Sequence, residues 1–257
     1  MNAVQVIVWK EWLEMRQQRL LLIGLIMPPL IFTAVALGAT AAARSTDRAG
    51  AVARGNPQFA GLSPVELSQA LPASQLSLLY LFLPVILTSI ITSYSIVGEK
   101  NSGTLEPVLA TPVRTWEFLL GKCLAAFLVA VGVSWLGGAV FIWGVARLAI
   151  SPRVFAAVVN PGWLIVLLVW TPLLALLANA LTMAISSRVN DARAAQQISA
   201  VIVAPFLGIF FAQLAGARLL SVGFTLTVAG ALLVLVVGGM ALVTRIFQRE
   251  AILTRWK

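Results

Sequence analysis

Between Gly98 and Lys122 the chain reads GEKNSGTLEPVLATPVRTWEFLLGK, and this polar stretch holds the residues best suited to chemistry or contact. It carries three carboxylates (Glu99, Glu106, Glu117), three cations (Lys100, Arg114, Lys122) and two prolines, with strongly apolar sequence on both sides. Such a pattern suits recognition by another surface better than bond-breaking. Acid–base chemistry at depth needs carboxylates paired in apolar surroundings, and the apolar stretches offer none. The absence of histidine removes histidine-ligated haem, HExxH zinc sites and histidine-based triads. The one cysteine, Cys123, permits no internal disulfide and reads as a small packing residue rather than a nucleophile. A Ser-Lys pair stays formally open, but no cation faces the span serines at obvious depth. A P-loop needs Gly-x-x-x-x-Gly-Lys-Ser/Thr so that backbone amides and the lysine hold phosphates. Around Gly121-Lys122 that motif fails twice, with Trp116 at the first glycine position and Cys123 after the lysine.

Local signals give the stretch a shape. Val97 closes an apolar run, and Glu99-Lys100-Asn101 is placed at the water boundary. Gly103 is a breaker, Thr104 can cap a short helix over Leu105–Ala110, and Thr111-Pro112 restarts a helix as cap and first helical residue. Leu105, Val108 and Leu109 give that short helix an apolar side. Such a helix either rests on lipid headgroups or docks into a groove on a soluble partner.

The elements that must hold this loop are membrane helices. Mean hydropathy is +0.96 and charged residues make up 11% of the chain, against about 25% in a soluble domain. No soluble core hides so much apolar surface, and long unalternating runs favour helices over a barrel. The net charge of +9 is scattered over every loop, as expected of membrane-flanking cations rather than of a nucleic-acid surface. The fold class is therefore an all-α integral membrane protein with six transmembrane helices, and one membrane domain covers residues 1–257.

Residues 1–19 are too polar to span. Val4, Val8, Trp12 and Met15 share one side of a helical wheel, and Lys10, Glu11, Glu14, Gln17 and Gln18 the other, with Ile7 and Arg16 off-pattern. This reads as an interfacial helix with Trp9 and Trp12 at headgroup depth, or as a solvated leader helix. The first span is Leu20–Ala43, with Pro28-Pro29 inside it. A signal peptide is set aside because the preceding region is long and partly acidic and the apolar run exceeds the ~7–15 residues of a signal core. Residues 44–74 form an external loop, in which Ser63 and Glu66 have capping-box spacing and a short helix runs to about Leu71, stopped by Pro72. The second span, Gln75–Val97, contains Pro84 and a polar cluster of Thr88, Ser89, Thr92 and Ser93, which either lines a pathway or hydrogen-bonds between helices. The third span runs from about Phe118 to Ala146, loosened by glycines. The fourth starts at Asn160-Pro161 and runs to about Ser186 with Pro172 inside; Asp191 is a plausible cap before the fifth, Ile198–Gln213, with Pro205; the sixth is Val222–Thr244. With both termini cytoplasmic, 12 of the 18 cations lie inside, which also makes residues 98–117 a cytoplasmic loop.

The run Glu99-Lys100, Gly103 to Pro112, Trp116-Glu117 and Leu120-Gly121-Lys122 resembles the cytoplasmic loop of type-2 ABC transporter permeases, with Val108 where leucine is commoner. The N-terminal helix, six spans and the SSRVNDARAAQQ segment before a proline-bearing fifth span extend the resemblance over essentially the whole chain; the link between spans five and six is shorter than in some relatives. The resemblance implies two permease chains forming an export pathway in the cell membrane, with two ABC ATPase subunits below. It makes Glu99, Lys100, Gly103, Thr104, Leu105, Glu106, Pro107, Leu109, Thr111 and Pro112 the coupling-helix contact to the ATPase. It implies no cofactor in this chain, ATP and magnesium being bound by the partner, and no enzymatic activity of its own. The partners implied are the ATPase, a second copy of the chain and the bilayer. The alternatives are an ATPase-independent carrier, against which the lack of ionisable residues deep in the spans speaks, and a membrane assembly factor.

Overall fold

A computed structural model describes residues 3–41, 57–101, 103, 115–186, 189, 191–215 and 221–246. Among them there is no strand. Among the described residues six helical segments are long and apolar enough to cross a membrane. In chain order the α-helices are α1 (Ala3–Gln17), α2 (Arg19–Ala41), α3 (Pro64–Leu76), α4 (Phe82–Asn101), α5 (Thr115–Leu148), α6 (Pro152–Val158), α7 (Pro161–Ile165), α8 (Thr171–Ser186), α9 (Ala192–Ser199), α10 (Ala204–Leu214) and α11 (Val222–Ile246).

The starts of these helices follow from local chemistry. Ser63 caps α3 in a complete capping box: the Glu66 amide donates to Ser63 Oγ at 3.3 Å, and the Ser63 amide donates to Glu66 Oε2 at 2.8 Å. Asn160 Oδ1 accepts the Trp163 amide at 2.9 Å, with Pro161 in the first helical position. Asp191 accepts the Arg193 amide at 2.9 Å and starts α9. Pro72, by contrast, does not stop α3. The helix runs through it to Leu76, because residues 68–71, 73 and 74 are all buried against neighbours, and tertiary packing outweighs the local break.

Three span prolines each follow a turn that is not α-helical. A 3₁₀ segment, Ser77–Leu81, precedes Pro84; a π segment, Val166–Trp170, precedes Pro172; a 3₁₀ segment, Ala200–Val203, precedes Pro205. Proline lacks an amide hydrogen and its ring crowds the carbonyl four residues back, so the preceding turn tightens or widens. The π segment has a further consequence. The Thr171 amide donates to the Val166 carbonyl, five residues back, so the Leu167 carbonyl would need the amide that Pro172 lacks. The Trp135 indole of α5 donates to that carbonyl instead, at 2.9 Å.

Within the bundle α4 is the most enclosed span, packed against α5, α8 and α2, while α10 is the least enclosed. One apolar core joins α2, α3, α4, α5 and α6 around the rings of Tyr80, Phe141 and Trp163; a second joins the start of α4 to α8, α10 and α11. At the end of the bundle where α2 and α5 finish, Gln69 of α3 donates to the carbonyls of Thr40 (3.0 Å) and Leu148 (2.9 Å) and accepts the Ile150 amide (3.0 Å). One amide side chain thereby satisfies the helix-end groups of two spans, which have no partner within their own helices. The opposite end, where α4 finishes and α5 begins, carries the loop.

Candidate functional site

The chain leaves α4 at Asn101, two residues after Glu99, and Lys122 lies two turns into α5, which begins at Thr115. Glu99 and Lys122 are both buried, Glu99 to 6% exposure and Lys122 to 4%. The helix α4 continues past Glu99 to Asn101, and neighbouring helices enclose the Glu99 carboxylate. Gly103, with φ +67°, adopts the left-handed conformation that a side chain disfavours, and it follows the end of α4. Lys100 lies on α4. Thr104, Leu105, Glu106, Pro107, Leu109, Thr111 and Pro112 lie outside the described residues.

A buried carboxylate and a buried ammonium persist only when paired and hydrogen-bonded. Here α1 supplies the pairing. Lys122 Nζ lies 2.6 Å from Glu11 Oε1 and 3.0 Å from Glu99 Oε2, and it donates to Ser95 Oγ at 2.6 Å. Lys10 donates to the other Glu99 oxygen and lies 3.2 Å from Glu14 Oε1. Since Lys10 and Glu11 are neighbours on α1, Lys10, Glu99, Lys122 and Glu11 close into a ring of alternating charge with no net charge. The ring ties α1 to both roots of the loop. Its two arms differ in surroundings: the side chains of Lys122 and Glu11 are 3% and 4% exposed, that of Lys10 is 42% exposed. Burial alone would pull the Lys10 ammonium down, but the bond to Glu99 and the fields of Glu99, Glu14 and Glu11 hold it above its ordinary value.

The geometry shifts the reading of α1 by about one position. The inward residues include Glu11 and Met15, while Val6, Trp9, Trp12 and Leu13 are exposed. Ile7, off-pattern on the sequence wheel, sits one turn before Glu11 on the inward face and rests on Gly121. A methyl group at Gly121 would lie 2.7 Å from Ile7 Cγ2 and 2.8 Å from its Cβ. Gly121-Lys122 therefore forms a two-part seat: the missing side chain admits Ile7, and the ammonium receives Glu11. On the other side of α1, towards α4, the packing is open. A cavity of about 290 Å³ there is lined by residues including Glu11, Glu14, Gln18, Tyr94, Ser95 and Gly98.

Thr88, Ser89, Thr92 and Ser93 are all buried on α4. Thr92 Oγ1 donates to Asn179 Oδ1 at 2.9 Å, Ser89 Oγ lies 3.2 Å from Thr182 Oγ1, and Asn179 Nδ2 donates to the Cys123 carbonyl at 2.9 Å. Thr88 and Ser93 bond back to carbonyls of their own helix. Together these groups form a polar seam joining α4, α8 and α5. Among the described residues no group of three or more histidine, cysteine or carboxylate side chains is placed to hold a metal ion.

Glu11 and Asn179 are among the site residues that sequence reasoning missed, together with Lys10 and Lys122. A lone asparagine inside an apolar span was the available signal for the second. For the first it was a lysine a few residues into a span, which must find a carboxylate.

The family model described as ABC-2 family transporter protein matches residues 5–226. The chain is also similar to the probable multidrug ABC transporter permease YbhR of Escherichia coli (strain K12), with 37% identity over 54 residues, which is 21% of this chain and 15% of that protein. The protein of the same name from Escherichia coli O157:H7 matches to the same extent. The alignment spans about 15% of the length of these curated relatives.

Proposed function

This chain belongs to the ABC-2 family of transporter proteins, and on that premise we propose that it is the permease subunit of an ATP-driven exporter. Two copies form the pathway, and separate ATPase subunits bind the loop between α4 and α5. Both termini and this loop face the cytoplasm of a cell membrane, and α1 lies in the membrane interface with Trp9 and Trp12 towards the headgroups. The observation that carries the reading is the ring at the loop's roots. A loop that receives force from a partner must pass it to the spans, and Glu99 and Lys122 join it through buried charges to α1, α4 and α5. The apolar residues Val201, Leu207 and Phe211, exposed near and along α10, give a second copy surface to cover.

The coupling contact is made by Glu99, Lys100, Gly103, Thr104, Leu105, Glu106, Pro107, Leu109, Thr111 and Pro112. ATP and magnesium are held by the partner, and this chain hydrolyses nothing. The printed name of the relatives, a probable multidrug permease, suggests amphiphilic cargo, in keeping with an interior of few polar groups. The buried charges do not favour an ion-coupled carrier: they sit at the loop end of the bundle and already neutralise one another. Glu106→Lys tests the assignment. The expected result is a folded chain that no longer couples ATP hydrolysis to transport, and unchanged ATPase binding and transport would contradict it.

A further inference from the structure

The charges of α1 are sorted by face. Glu11 points into the bundle, where Lys122 meets it at 2.6 Å, and Glu14 meets Lys10 at 3.2 Å beside the cavity towards α4. At roughly 100° per residue, Arg16 lies about 140° round the helix from Glu11. It is exposed there with Val6, Trp9, Trp12 and Leu13, and Arg19, the first residue of α2, is exposed just beyond. No carboxylate stands three or four residues from Arg16 or Arg19 on either side, so neither has an ion pair along its own helix. The sequence of α1 balances two cations, Lys10 and Arg16, against two carboxylates, Glu11 and Glu14. The fold directs both carboxylates to lysines and leaves the outward face apolar, aromatic and positively charged.

We infer that this face of α1 selects anionic phospholipid, with the phosphate of a headgroup such as phosphatidylglycerol held by Arg16 and Arg19 and the lipid's apolar part against Val6, Trp9 and Leu13. A guanidinium presents paired N–H donors that match phosphate oxygens, and indole rings suit the level of the headgroups. Choline and ethanolamine headgroups carry an ammonium that competes with the arginines for the phosphate. The glycerol headgroup carries none, so its charge is left for the two guanidinium groups. Carboxylates on this face would repel the same phosphate, and the lysine partners of Glu11 and Glu14 hold them away from it. The inference rests on the placement of α1 in the membrane interface, and it adds which lipid the helix selects there.

Brominated lipids, whose bromine atoms quench tryptophan at close range, test it on the purified full chain in phosphatidylcholine vesicles. The brominated component is either phosphatidylglycerol or phosphatidylcholine, and the signal of Trp12 is the difference between the chain and its Trp12→Phe variant. Each cation at an anionic surface is worth about fivefold in binding, so phosphatidylglycerol is expected beside Trp12 in preference to phosphatidylcholine by more than about fivefold. The ratio should fall about fivefold in Arg16→Gln, persist in Arg16→Lys, and reach unity when Arg16→Gln and Arg19→Gln are combined. Arg147→Gln removes an exposed cation at the opposite end of the bundle and should leave the ratio unchanged. Equal binding of the two lipids, a ratio that survives the loss of both arginines, or one that Arg147→Gln lowers as much overturns the inference and leaves α1 in the interface. Trp12 quenched by neither lipid would show that a protein surface, such as a second copy, covers this face, which defeats the interfacial placement itself and the inference with it.

Discussion

The Lys122 ammonium lies 2.6 Å from the Glu11 carboxylate, both side chains nearly inaccessible to solvent, although 111 residues separate them in sequence. Through this pair α1, which is not among the six helices long and apolar enough to cross a membrane, becomes part of the bundle. The same lysine holds Glu99, so the helix is fixed both to the last turn of α4 and to α5 two turns from its start.

Replacing Lys122 by methionine should cost far more than the same change at Lys10. The first leaves Glu11 and Glu99 buried with too little positive charge, a loss of roughly 3–5 kcal/mol; the second removes a half-exposed partner from a carboxylate that keeps Lys122, a smaller loss. Thermal unfolding in one detergent measures both, and equal shifts would contradict the buried ring. The Lys10 contact should also be indifferent to pH over the neutral range. Its raised ammonium pKa means that the stabilisation is fully present below the ordinary value of 10.5 and is lost only as pH rises through the higher folded value.

Gly121→Ala should displace α1, because the new methyl meets Ile7 at 2.7 Å. Overpacking of this kind costs about 1–3 kcal/mol. Ile7→Ala in the same chain should restore only part of the loss, because it removes Cγ2 but keeps the Cβ 2.8 Å from the new methyl, and a double-mutant cycle reads the coupling. Additive effects would show that the two residues do not share the contact.

Trp135→Phe should destabilise by about 1–3 kcal/mol, since it leaves the Leu167 carbonyl without a donor inside the bilayer. Pro172→Ala supplies an amide that can reach this carbonyl, so Trp135→Phe should cost less in that background. An equal loss in both backgrounds would disconnect the indole from the proline.

Cysteine labelling checks the topology. An impermeant reagent applied outside intact cells should fail to reach a cysteine at Asn101 and should reach one at Asn56. The reverse pattern would invert the orientation.

The sequence made some of this legible and hid the rest for identifiable reasons. Ser63 with Glu66, Asn160 with Pro161, and Asp191 act within a few residues of themselves, so their capping roles could be read from spacing and are found in place. Apolar length alone located the six spans. Pro72 misled because a local breaker was overruled by packing with elements distant in sequence. Glu11 was assigned to the outer face because a helical wheel ranks residues by polarity, whereas its true position is set by Lys122 on another helix. Gln69 gave no local sign that it would cap two other spans.

The claim on which the account rests is that a separate motor drives this chain, and isolating the chain from its native cell tests it most directly. Tagged and gently solubilised, it should bring down a P-loop ATPase in stoichiometric amount, and Glu106→Lys should weaken or abolish that association. A chain that purifies alone in several detergents, or one whose ATPase association and transport are both indifferent to Glu106→Lys, would contradict the account.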